Sequence, residues 1–208
     1  MVANPYHREQ IEAFSIVAGH LDGLSPAGRA ALLRDCGGYL DFRRRAARFL
    51  EEHVDGFCRR RCYASRLSAC CSREGIVVFF GDVVVNVLLS DAGQTAGMIE
   101  LLERENTGTR CVYLGPRGCR WQLKPIVCQM FLCDAARRAA FENRPQAAGE
   151  WAALEAERRA FTWPDRPVLF EALEAAFIEA GRRSALMYLH TSPGMRRVRR
   201  NAGRPDAG

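Results

Sequence analysis

Apolar and polar positions follow a helical period along most of the chain. Ile11, Phe14, Ala18 and Leu21 recur at spacings of three and four. They follow Asn4-Pro5, a cap and first-turn pair. Ser25-Pro26 opens a second, short helix and Gly37-Gly38 closes it. In a third helix Phe42, Ala46, Phe49, Leu50 and Phe57 form one stripe, with Arg43, Arg44, Arg45 and Arg48 mostly on the other side. That helix leads directly to Cys58.

The pattern changes between Gly75 and Leu89. Val77 to Phe80 precede Gly81-Asp82, and Val83, Val84, Val85, Val87, Leu88 and Leu89 follow. Two β-rich runs around a two-residue glycine turn predict a β-hairpin, with Asp82 as a turn residue. The apolar run Ile76–Leu89 is 14 residues long and broken by Asp82 and Asn86. It is too short and too polar to span a membrane.

Ser90 or Asp91 then caps a helix carrying Met98, Ile99, Leu101 and Leu102, which Asn106-Thr107-Gly108 ends. Residues 109–133 read as irregular, broken by Gly115-Pro116, Gly118 and Pro125. A helix is expected from near Pro125 through Cys128 and Cys133 to about Phe141. Another carries Trp151, Leu154, Arg158 and Phe161. A last one begins after Asp165-Arg166-Pro167 and carries Leu169, Leu173, Ala176 and Phe177. Ser192-Pro193-Gly194 breaks the chain again.

The fold class expected is α+β and mostly α-helical. A cysteine-cluster metal-binding core with one β-hairpin has helical extensions at both ends. The expected organisation is a single domain over 1–194. It has a helical part at 4–56, the core at 57–134 and a second helical part at 135–194. Residues 195–208 form a basic tail expected to be disordered. No repeat of 20–50 residues is present.

Composition supports a packed core: of 208 residues, 48% are hydrophobic and 26% charged. The N-terminus MVANPYHREQIEAF lacks a basic segment followed by an apolar one, so the expected location is the cytoplasm, with no membrane partner. The net charge of +6 sits in the tail. Residues 182–205 hold seven arginines and no acid, while residues 1–181 balance at 23 basic and 23 acidic groups. Such a tail offers a contact for nucleic acid or an acidic surface. No aromatic residue interleaves with the arginines after Tyr188, which counts against base stacking.

Cysteine changes the picture most. The chain has nine, and eight of them fall between residues 58 and 133: Cys58, Cys62, Cys70, Cys71, Cys111, Cys119, Cys128 and Cys133. A cytoplasmic chain does not keep structural disulfides, and an odd total argues against a closed disulfide framework. Clustered thiols of this kind suit metal. Short intervening segments make chelation cheap in entropy. Cys58 and Cys62 share a face if the third helix continues through both. Cys70 and Cys71, adjacent in the chain, point apart if extended and suit two metals or two atoms of one cluster. Eight thiolates fit two four-coordinate zinc or iron sites, or an iron–sulfur cluster with four left over. All-sulfur ligation excludes magnesium and calcium but does not separate zinc from iron. The competing reading makes these cysteines small buried apolar residues.

The second group reads Cys111-Val112-Tyr113-Leu114, Gly118-Cys119-Arg120-Trp121, Lys124-Pro125-Ile126-Val127-Cys128 and Phe131-Leu132-Cys133. With the preceding segment ending Leu88-Leu89-Ser90-Asp91, it resembles the YkgJ family of cysteine-cluster proteins, described as a zinc- or iron-chelating domain. The likeness covers about residues 57–134. The first group is wider than the family's CxxCxxCC, and Lys124 stands where arginine is usual. What the resemblance implies is a metal site of eight cysteines. Flagellin lysine methylases look similar in their cysteine cluster, so an enzyme that modifies proteins remains an alternative. A zinc-stabilised module binding nucleic acid or a protein partner through the tail is another. No Gly-x-Gly-x-x-Gly supports a cosubstrate site.

Cys36, outside the pattern, reads as a structural thiol, and His53, four residues from Phe49 and Phe57, as a core or boundary residue. His7, His20 and His190 have no partners at ligand spacing. Arg120 and Lys124 flank cysteines; they either offset thiolate charge or lie solvated.

Overall fold

The computed structural model describes residues 5–64, 71–72, 77–116, 118–162 and 168–188, the side chains of residues 62 and 63 excepted. The Asn4 cap, Cys70, the Asp165-Arg166-Pro167 start, the Ser192-Pro193-Gly194 break and the basic tail lie outside them.

The chain is mostly helical. Its α-helices are α1 (Pro5–Asp22), α2 (Pro26–Asp35), α3 (Gly37–His53), α4 (Asp55–Cys58), α5 (Phe80–Leu88) and α6 (Ala92–Glu103). After the hairpin β1 (Leu114–Gly115) and β2 (Gly118–Cys119) come α7 (Ile126–Met130), α8 (Asp134–Phe141), α9 (Pro145–Thr162) and α10 (Leu169–Glu179). A π-helical turn, Arg59–Tyr63, continues α4. Among the described residues β1 and β2 form the one sheet, antiparallel, with Leu114 opposite Cys119 and Gly115 opposite Gly118. No described helix is long and apolar enough to cross a membrane.

The expected hairpin at 75–89 is instead helix α5, and the hairpin lies at 114–119. All nine residues of α5 are buried. It packs against α1, α2 and α10, so no face is left for polar alternation. A short apolar run of this kind does not distinguish a buried strand from a buried helix, and tertiary packing overrides the β propensity of valine. The Gly-Asp pair serves the first helical turn. A Cβ on Gly81 would lie 2.5 Å from the Phe170 ring of α10, so glycine admits that ring. Asp82 Oδ2 accepts the Phe79 N–H at 3.1 Å, at the helix start.

Three other boundaries differ from expectation. Gly37 and Gly38 open α3 rather than closing α2, whose cap is Cys36. Ser25 caps α2 as expected, its hydroxyl accepting the Gly28 N–H at 3.1 Å. The third helix ends at His53, and α4 and the π turn carry the chain past Cys58 and Cys62. The helix expected from Pro125 to Phe141 is two. Phe131 is extended and Cys133 becomes the N-cap of α8, with Asp134 in its first turn.

The buried apolar residues form one cluster. With the partly buried Phe141 and Phe161 packed on it, Phe49, Phe141 and Trp151 join α3, α8 and α9, and Tyr39, Phe42, Phe161 and Phe170 join α3, α9 and α10. The Trp121 ring lies 5.3 Å from that of Phe14, tilted, and 5.3 Å from that of Tyr113, edge to face, which fastens the cysteine-bearing segment to α1.

Candidate metal centre

The second cysteine group is built around β1–β2. Cys111 precedes a tight turn in which the Leu114 N–H donates to the Cys111 carbonyl at 3.0 Å. The Arg120 N–H donates to the Tyr113 carbonyl at 2.9 Å and extends the hairpin pairing. Gly118 takes φ +109°, a left-handed value that suits glycine, at the end of the two-residue loop. Arg120 lies across Gly115, where a Cβ would meet its Nε at 3.1 Å.

Main-chain amides lie near both sulfurs. The Tyr113 amide acts to lower the pKa of Cys111, as does that of Leu114, whose N–H is bonded to the Cys111 carbonyl. The Trp121 amide acts likewise on Cys119, as does that of Arg120, whose N–H is bonded to the Tyr113 carbonyl. Each sulfur thus faces the amide two residues further on. Such hydrogen bonds favour the thiolate and are a means by which proteins tune thiolate-bound metals. Burial acts the other way: it pushes the Cys111 thiol up to about 11 and raises that of Cys119, on which the Lys124 ammonium exerts a lowering effect. A metal bound by these sulfurs would have to displace their protons, so its affinity would rise with pH.

Cys119 and Cys128 each act electrostatically on Cys111. Cys128 also acts on Tyr6 of α1, whose hydroxyl accepts the Val78 N–H at 2.8 Å. Cys71 joins them through its main chain: the Cys111 N–H donates to the Cys71 carbonyl at 2.8 Å, and Ser72 pairs with Arg110 in an antiparallel bridge. Cys58 sits half-buried on α4, which packs against α8, the helix that Cys133 caps. Cys62 lies in the π turn, a form of helix found often at functional sites. Among the described residues no three His, Cys, Asp or Glu side chains converge on a common point for an ion.

The other candidates fall as follows. Cys36 is fully buried, and burial pushes its thiol up to about 11, as a structural cysteine requires. His53 is half-buried against the Phe49 ring at 4.6 Å. Burial lowers the pKa of His7, which is bonded to the main chain of Leu102, and of His20, which packs on Phe177.

Sequence reasoning missed a buried polar set beneath the centre. Asp82, expected as a turn residue, is 3% exposed, and its Oδ1 accepts the Ile126 N–H at 2.9 Å. Asn86 is 1% exposed, and its Oδ1 accepts the Gln122 N–H at 2.9 Å and the Leu123 N–H at 3.3 Å. Arg43, also 1% exposed, donates to Tyr39, to the Gln129 side chain and to the Lys124 carbonyl. Gln129 returns a bond to the Arg43 carbonyl at 3.3 Å. Burial pushes the Asp82 carboxyl up to about 6, against the lowering effect of Arg43 and of its two amide donors. The available signal was the two polar residues, four apart, that interrupt the apolar run.

No family model matches the chain, and no curated protein or solved structure matches it significantly.

Proposed function

We propose that this is a cytoplasmic metal-binding protein of the YkgJ type. It holds zinc or iron, as mononuclear sites or an iron–sulfur cluster, through Cys58, Cys62, Cys70, Cys71, Cys111, Cys119, Cys128 and Cys133. The observation that supports the reading is that Cys111, just before the hairpin, and Cys119, on its second strand, each lie near the amide two residues further on, which favours the thiolate. A cysteine that only fills space needs no such amide. Zinc would supply folding free energy to segment 109–133, and an iron–sulfur cluster would supply electron transfer. Lys124 beside Cys119 offsets part of the negative charge that thiolates bring.

The test is metal and sulfide analysis with an absorption spectrum on anaerobically purified protein. Iron with acid-labile sulfide and absorption near 400 nm identifies a cluster. A colourless protein with stoichiometric zinc identifies a structural centre. Protein that carries neither metal and takes up neither overturns the reading.

A further inference from the structure

Eight residues separate Cys119 from Cys128, and most of them have no regular structure of their own. The main chain of this segment is fastened from below instead. The amides of Gln122 and Leu123 end on Asn86 Oδ1, the amide of Ile126 ends on Asp82 Oδ1, and the carbonyl of Lys124 accepts from Arg43. Asp82 and Asn86 stand four residues apart on α5 and so share one of its faces. Arg43 reaches in from α3 and is steadied by Tyr39 and Gln129. All three side chains are buried, so the segment has no water to bond with on that side. Its path is set by three side chains on two rigid helices.

We propose that Asp82, Asn86 and Arg43 are positioning residues that set the separation of Cys119 and Cys128 before any metal arrives. The purpose rests on the metal-binding reading; the geometry does not. A preset pair of ligands spares the ion the cost of ordering the loop, and loss of such supporting contacts costs roughly 10–100-fold in metal affinity.

Two readouts test this on the full chain. The first is the yield of a short thiol cross-linker between Cys119 and Cys128 in metal-free protein, read by peptide mapping. Cleavage after Arg120 places the two cysteines on separate peptides. The second is zinc affinity, measured by competition with a chromophoric chelator. Asp82→Leu and Asn86→Leu remove the acceptors and are expected to lower cross-linking and to weaken zinc ~10–100-fold. Asn86→Asp keeps an acceptor for the amides of Gln122 and Leu123 and is expected to restore both. Leu154→Ala, which loosens the α3–α9 contact instead, is expected to lower the melting temperature and change neither. Should a leucine variant lose its helical circular dichroism, Asn86→Gln carries the same expectation. It displaces the amide oxygen by one methylene.

Folded variants that cross-link and bind zinc like wild type overturn the positioning role. So does Leu154→Ala if it weakens both equally. Wild-type protein that holds no metal but cross-links better than the variants overturns the metal reading and supports the positioning.

Discussion

Helix α5 and segment 109–133 adjoin each other and are stabilised by opposite means. In α5 the main chain satisfies itself, and nine consecutive residues are buried against three other helices. In 109–133 two short strands and the five-residue α7 supply the ladder bonds. Much of the rest of the main chain bonds to side chains from elsewhere. The two polar residues of α5 belong functionally to its neighbour, since Asp82 and Asn86 each bond to amides in the cysteine-bearing segment. A buried polar side chain in an apolar helix is thus a fixture for the less regular chain beside it.

The strongest way to break this comparison is to remove the metal proposed above. Structural zinc contributes on the order of 10 kcal/mol or more in small domains. Chelation of the loaded protein is expected to open 109–133 to proteolysis at Arg110 and Arg120 while α5 amides keep their protection from hydrogen exchange. Equal loss in both regions would show that α5 depends on the centre. Next in size is Arg43→Leu. It leaves Asp82 buried without its cation and the Lys124 carbonyl without its donor, and about 3–5 kcal/mol of stability should be lost in denaturant titration. Gly81→Ala sharpens the α5 side alone. Its methyl collides with Phe170, for an expected cost of ~1–3 kcal/mol that Phe170→Leu partly recovers.

Acidity separates the two roles of Asp82. Its folded pKa of about 6 lies above the unfolded value near 3.8, so the native state holds the extra proton between them. That contribution to stability is full below pH ~4 and is lost as pH rises through about 6. Melting temperatures across this window should fall for wild type relative to Asp82→Asn, and parallel curves would refute the assignment. The smallest effect is expected from the Arg45–Glu157 pair joining the exposed sides of α3 and α9. Arg45→Ala should cost under ~1 kcal/mol, a baseline for the buried contacts.

The longer helices were legible because their apolar stripes repeat over ten residues or more and their caps are local. Ser25 needs only Gly28, and Asp91 needs only Gln94. The eight cysteines stand out in the sequence as two short-range groups, 58–71 and 111–133, and among the described residues no three ligand side chains meet for an ion. The position of the hairpin was not legible. Two-residue strands show no alternation, while Gly81-Asp82 carries every local sign of a turn. What decides against a turn is remote: a ring 89 positions later and an amide 44 positions later. Arg43 was read as part of a polar helix face because nothing local says that Tyr39, Gln129 and Lys124 will enclose it.

The bond from the Cys111 amide to the Cys71 carbonyl joins points 40 positions apart in the chain. During translation, Cys58 to Cys71 leave the ribosome first. At ordinary elongation rates of 5–20 residues per second, ~2–8 s pass before Cys111 is made. In that interval α5 and α6 are synthesised, so the helix that carries Asp82 and Asn86 precedes the segment it braces. The first thiols are made without their counterparts, and the later half of the chain completes the junction.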